Sequence, residues 1–226
     1  MQASRNMIKL PSFEKSFEYE NNFYLSCDIT RISKLLAHYE LFKMAIDIAG
    51  EIVECGVFKG NSLARFAIFR EIFANPFSKK IIGFDTFGKF PPTEFQDDLK
   101  RRDKFIQDAG EESISKEQMM EVLEHKQVAK NVELIEGDIT QTVPAYVKEH
   151  PELRISLLNL DTDIHEPTVT ILEYLYPKIV KGGILILDDY GAFPGETAAV
   201  DEYFRDKNME IKKFPFCMTP CYVKKT

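Results

Sequence analysis

The chain has 226 residues, 44% of them apolar and 29% charged, which suits one globular domain with small additions and excludes a collagenous, disordered or low-complexity chain. Lys plus Arg is 29 and Asp plus Glu is 36, a net charge of −7, so the chain is a poor nucleic-acid coat, because phosphate binding needs a basic face. No apolar run reaches the roughly 18–20 residues that span a bilayer, and the opening MQASRNMIKLPSFEKSFEYE lacks the apolar centre of a secretory signal, so the expected compartment is the cytoplasm.

In chain order, residues 1–30 read as a mixed aromatic arm without a clear period, packing on the domain or on a partner, including a second copy. Ile32, Leu35, Leu36, Tyr39, Phe42, Ala45 and Ile46 recur at helical spacing, which predicts a helix over 31–49 that Gly50 stops. A short buried strand follows at 52–57, a helix at 61–74 and a second strand at 80–85. Residues 86–110 read as a long polar stretch. Ser115-Lys116-Glu117-Gln118 looks like a capping box that opens a helix towards residue 130. The alternation then resumes: strand 132–136, helix 140–150, strand 155–160, helix 167–180 stopped by Gly182-Gly183, strand 184–187 and helix 195–206. Two last strands, 210–214 and 221–224, are joined by a link too short for a helical crossover. The pattern predicts an α/β fold: a mostly parallel seven-stranded sheet with helices on both faces and one antiparallel strand near an edge.

Cys27, Cys55, Cys217 and Cys221 have no metal-ligand spacing with the four His, so reduced thiols are expected.

In such sheets ligands bind beyond the carboxyl ends of the strands. Asp85, Asp138, Asp161 and Asp188-Asp189 sit at predicted strand ends, and Glu54 precedes the glycine turn of the first strand. That turn, Glu54-Cys55-Gly56-Val57-Phe58-Lys59-Gly60-Asn61-Ser62, is neither G-x-G-x-x-G nor a Walker A loop, although Gly56 and Gly60 would let backbone approach a ligand. Asp85 is placed to accept ribose hydroxyls and Asp138 to read an adenine amine; each could equally cap a helix or form a turn. Asp161, Asp188 and Asp189 would converge without a basic partner, which suggests a hard divalent cation, Mg²⁺ before zinc. Asp163 and His165 follow in the same loop, and either could be a base.

Four motifs then resemble a known family: V-E-C-G-V-x-x-G-x-S at 53–62, F-D-T-F-x-x-F-P at 84–91, L-D-T-D-x-H-x-x-T at 160–168 and D-D-Y-G at 188–191. In this order they are similar to the macrocin O-methyltransferases, over about residues 35–205. The resemblance implies a Rossmann-like class I methyltransferase domain over 31–226, with a lid insertion at about 86–112. It implies S-adenosylmethionine and Mg²⁺ as cofactors and a hydroxyl of a deoxysugar as acceptor, nucleotide-linked or part of a glycan or natural product. By the same resemblance Asp161, Asp188 and Asp189 hold the metal, and Asp163 is the base. Glu54, Gly56, Ser62, Asp85 and Asp138 match the family's cofactor-pocket positions, and Val57, Gly60, Thr86 and Asp161 are expected to line the same pocket. The sequence departs from the family at His165, often Tyr, and at Gly88-Lys89.

The chemistry asks for such a set. A sugar hydroxyl is far too weak an acid for an ordinary carboxylate of pKa about 3.9 to deprotonate alone. A cation bound to the hydroxyl lowers its pKa, after which Asp163 need only take a loosened proton. Two rival readings remain: a Mg²⁺-dependent methyltransferase of a catechol or other small phenol, disfavoured because no Lys follows Asp161 in its loop, and an NAD-dependent oxidoreductase, disfavoured by the glycine spacing.

Overall fold

Continuous apolar runs and amphipathic segments build a seven-stranded sheet flanked by helices. The computed structural model describes residues 8–226. Its strands are β1 (Glu51–Cys55), β2 (Ile81–Asp85), β3 (Val132–Glu136), β4 (Ile155–Leu160), β5 (Ile179–Leu187), β6 (Lys212–Lys213) and β7 (Cys221–Lys224), in the order β3-β2-β1-β4-β5-β7-β6. The first five run parallel, and β7 is antiparallel to both β5 and β6. The helices among the described residues are α1 (Ser16–Ser26), α2 (Ile29–Ala45), α3 (Asn61–Phe73), α4 (Gln96–Ala109), α5 (Lys116–His125), α6 (Ile139–Glu149), α7 (His165–Tyr174) and α8 (Pro194–Phe204).

The strands alternate side chains between two cores. Val53, Ile82, Leu158 and Leu185 face Val143 of α6, Ile171 of α7 and Val200 of α8. Ile52, Ile81, Leu157 and Ile184 face Leu41 of α2, Leu63 of α3 and Met119 of α5. Every residue of β2 and β4 is buried, the signature of a parallel sheet covered on both faces. Strand order reverses between β1 and β4, which places a cleft at their carboxyl ends. The capping box on α5 is formed in both directions, Gln118 N to Ser115 Oγ at 3.1 Å and Ser115 N to Gln118 Oε1 at 3.3 Å.

Three stretches differ from the sequence reading. The arm is helical: α1 occupies 16–26, and α2 starts at Ile29, capped by Asp28, whose carboxylate accepts from Thr30 N at 2.9 Å. No residue of α1 is buried, so no apolar face marks it in the sequence. Residues 1–7 of the expected arm lie outside the described residues. The polar stretch after β2 contains α4, whose only buried residue is Asp98; the helix is amphipathic, but its many charged residues read as a polar loop. The predicted helix 167–180 ends at Tyr174, and β5 begins at Ile179. Gly182 and Gly183 lie inside β5, where register jumps from Ile155↔Ile179 to Leu157↔Ile184. A Cβ on Gly183 would stand 2.7 Å from Ile179 Cγ2, so the glycine pair makes a bulge possible and does not stop a helix.

Candidate active site

The strand order lines the acids along one rim: Asp138 after β3, Asp85 on β2, Glu54 on β1, Asp161 after β4, and Asp188-Asp189 after β5. A cavity of about 940 Å³ opens beyond them, with Asp85, Asp138, Asp161, Asp163 and Asp189 in its wall. Phe23 of α1, Lys34 of α2 and Phe90, Arg101 and Phe105 of the 86–112 segment form its opposite side.

On the β1–β2 side, Asp85 is tied into the chain. Its Oδ2 accepts from Val57 N at 2.7 Å and Phe58 N at 3.0 Å. Its Oδ1 accepts from Phe87 N at 2.7 Å and Ser113 Oγ at 2.8 Å. The expected ribose acceptor thus braces the glycine turn against the root of the 86–112 segment, with little capacity left for a ligand hydroxyl. Thr86 lines the cavity and donates its hydroxyl to Lys89 O at 3.0 Å. Gly56, at φ +91°, is required because a Cβ there would lie 1.7 Å from Asp161 O; β1 and β4 meet flush at the rim. Val57 and Ser62 line the cavity, whereas Gly60 does not; its missing side chain makes room for Met119 Sδ. Glu54 is fully buried behind Ser62, whose hydroxyl donates to Glu54 Oε1 at 2.5 Å. Burial pushes the Glu54 carboxyl up to about 8, against the pull of that hydrogen bond. Asp138 lines the cavity and caps α6, accepting from Thr140 N at 2.9 Å.

On the β4–β5 side the carboxylates face one another. One oxygen of each of Asp161, Asp188 and Asp189 lies within 4.8 Å of the others. The Asp189 carboxyl neighbours those of both Asp161 and Asp163, so like groups crowd one another there. Burial first, and neighbouring carboxylates second, push Asp161 and Asp189 well above the usual carboxylate range. The same two causes raise Asp163 to about 7. Asp163 sits in left-handed backbone, φ +64°, the strained geometry that gathers at functional sites. Glu196 of α8 adds a further buried carboxyl: its Oε1 accepts from Asp189 N at 3.0 Å, and its Oε2 has no partner among the described residues.

His165 does not join this cluster. It opens α7, is not among the residues lining the cavity, and stacks on Phe95 with ring centroids 4.7 Å apart. Its backbone N–H donates to Asp98 Oδ2 at 3.0 Å, while Asp98 Oδ1 accepts from Gly195 N at 2.7 Å. Asp98 of α4 therefore caps the first turns of α7 and α8 together. Glu166 returns the contact, accepting from Glu94 N at 2.7 Å and Thr93 Oγ1 at 2.9 Å.

The expectation that the acids meet no basic partner is corrected. Lys34 Nζ pairs with Asp188 Oδ2, and His38 Nε2 lies 3.0 Å from Asp188 Oδ1. Burial opposes ionisation of Asp188, yet Lys34 and His38 outweigh it and hold the carboxyl below the usual range. The sequence hides these partners because they lie on α2, 150 residues before Asp188 in the case of His38. The excess of acid survives the correction: Glu54, Asp161, Asp163, Asp188, Asp189 and Glu196 face Lys34 and Arg65 as cations. Carboxylate oxygens that converge in excess of the cations around them fit a hard divalent cation.

A sheet of this order, with β7 reversed and the cleft at the switch point, defines the class I methyltransferase fold. The crystal structure of the calicheamicin methyltransferase CalS11 superposes with a TM-score of 0.72 at 27% identity, over 92% of this chain and 84% of that one. The O-methyltransferase NovP has the same fold, TM-score 0.70 at 22% identity, over 86% and 80%. The chain belongs to the macrocin O-methyltransferase family, whose model matches residues 30–219. It is 26% identical over 175 residues to the 8-demethyl-8-(2,3-dimethoxy-alpha-L-rhamnosyl)-tetracenomycin-C 4'-O-methyltransferase of Streptomyces olivaceus, covering 71% of this chain and 60% of that enzyme. It is 35% identical over 78 residues to the demethyldecarbamoylnovobiocin O-methyltransferase of Streptomyces niveus, covering 33% and 29%. The matched parts thus span less than two thirds of both enzymes.

Proposed function

We propose that this protein is an S-adenosylmethionine-dependent, Mg²⁺-dependent O-methyltransferase that acts on a hydroxyl of a deoxysugar. The observation that carries the reading is the convergence of Asp161, Asp188 and Asp189, with Asp161, Asp189 and the adjacent Asp163 in the wall of the cavity. Relatives agree in substrate class: CalS11 is a TDP-rhamnose 3'-O-methyltransferase, and a Micromonospora griseorubida relative is a mycinamicin III 3''-O-methyltransferase.

When bound, the donor supplies an activated methyl group, and the cation lowers the pKa of the acceptor hydroxyl. The chain supplies the rest. Asp161, Asp188 and Asp189 would hold the cation. The turn 56–62, braced by Asp85, would hold the donor beside it, so that the acceptor oxygen and the methyl carbon are aligned. Asp163, in the cavity wall beside the cation ligands, would receive the hydroxyl proton at its carboxylate. The 86–112 segment acts as a lid: Phe90 and Phe105 face the cavity, and Asp98 and Glu166 fasten it to α7 and α8. Water kept out strengthens each charge interaction inside.

The phenol reading gains a lysine from the structure but not a base. The Asp188 carboxylate, paired with Lys34, raises the lysine's ammonium despite burial, so it stays protonated. Free thiols at Cys27, Cys55, Cys217 and Cys221 support action in the reducing cytoplasm. The test supplies the protein with S-adenosylmethionine, Mg²⁺ and a panel of nucleotide-linked deoxysugars, TDP-rhamnose among them, beside catechol. The reading predicts a sugar heavier by one methyl group. Methylation of catechol alone would reject it. Calorimetry should show S-adenosylhomocysteine binding and little or no NAD binding; the reverse ranking rejects the class of reaction.

A further inference from the structure

Asp188 is fully buried, and both its oxygens are reached from one helix. Lys34 and His38 are four residues apart on α2, so they share a face. His38 takes Oδ1 and Lys34 takes Oδ2. The two contacts differ in kind. His38 is 0% exposed, its ring stacks on Phe66 at 5.1 Å, and both ring nitrogens are engaged. Its Nδ1 lies 2.8 Å from Arg65 Nη1. A guanidinium only donates, so Nδ1 must accept, and the ring proton must sit on Nε2, where it is donated to Asp188. Lys34 instead sits at the cavity wall on a flexible stem, with its side chain 22% exposed.

We propose that His38 is a positioning residue for Asp188, with its tautomer set by Arg65, and that Lys34 is an exchangeable counter-charge that a cation displaces from the other oxygen. The Lys34 half rests on the cation reading above; the His38 half does not. Removing the two side chains should therefore move cation affinity in opposite directions. Without Lys34 a competing charge is gone and Oδ2 is free. Without His38 the carboxylate can turn and loses the donor that aims it, as when a second-shell partner of a metal ligand is removed.

The test titrates metal-stripped protein with Mn²⁺, a carboxylate-seeking probe cation, in the absence of donor and acceptor. Lys34→Met should bind Mn²⁺ about 3–10-fold more tightly and His38→Leu about 10–100-fold more weakly. His38→Gln, whose side-chain amide can donate in place of Nε2–H, should recover affinity to within about 3-fold of the wild type. Nitrogen-15 NMR of the wild-type imidazoles should show His38 neutral and protonated at Nε2, a readout that needs no variant to fold. An Nδ1–H ring or an imidazolium overturns the His38 assignment, as does a Gln variant no better than Leu. Shifts of the same sign in Lys34→Met and His38→Leu overturn the division of roles. Wild-type protein that binds no Mn²⁺ but shows the Nε2–H ring overturns the cation reading and the Lys34 half, and supports the His38 half.

Discussion

Two carboxylates at neighbouring strand ends, Asp85 and Asp161, have opposite surroundings. Asp85 accepts from three backbone N–H groups and a serine hydroxyl. Asp161 sits among Asp188, Asp189 and Glu54, with Lys34 as the nearby cation. An acid saturated by donors is a strut, and its charge is part of the fold. An acid among several others that share one lysine is undercompensated, and has room for positive charge from outside. Side by side in one rim, the two halves show that an acidic strand end is no evidence of a site until its donors are counted.

Substitutions should separate the halves. Asp163→Asn should lower turnover about 10²–10⁴-fold while S-adenosylhomocysteine still binds, measured by single-turnover assay and calorimetry. Turnover within a few-fold of wild type would remove the base from the account. Asp85→Ala should cost about 2–4 kcal/mol in denaturant unfolding, because buried N–H groups of the turn lose their acceptor. A loss well under 1 kcal/mol would erase the contrast with Asp161. Asp189→Asn should instead leave the metal-free protein as stable or stabilise it by about 1–2 kcal/mol, since folding no longer has to protonate a carboxylate that is ionised in the unfolded chain. Destabilisation there would show that the acids are internally compensated after all.

The same cluster should also show in the pH dependence of stability. The Asp163 carboxyl rises from its ordinary 3.8 to about 7 in the folded chain. Between those values the folded state holds a proton that the unfolded state has lost. Asp163 therefore contributes a stability that is lost as pH rises from about 4 to about 7, with no further change above. In EDTA, wild type minus Asp163→Asn should show that falling difference; a rising one contradicts the assignment.

Much of this was legible in the sequence. Aspartates that end apolar runs mark the strand ends, and the short link before Cys221 foretells the reversed β7. Other features were not legible, for physical reasons. Lys34 and His38 meet Asp188 only after α2 docks on β4 and β5, and no spacing spans that separation. Asp98 caps two helices at once, and it stands in a helix so rich in charged residues that nothing marks one of them as buried. Gly182-Gly183 reads as a helix stop, yet serves a bulge, because glycine answers equally to either demand. His165 reads as a base from its loop, but its ring packs against Phe95.

The most direct test needs no knowledge of the acceptor. Protein stripped with EDTA is titrated with Mg²⁺ in a calorimeter, wild type beside Asp189→Asn. The account predicts saturable binding of a single ion by the wild type and none by the variant. No binding by the wild type, or equal binding by both, would contradict it.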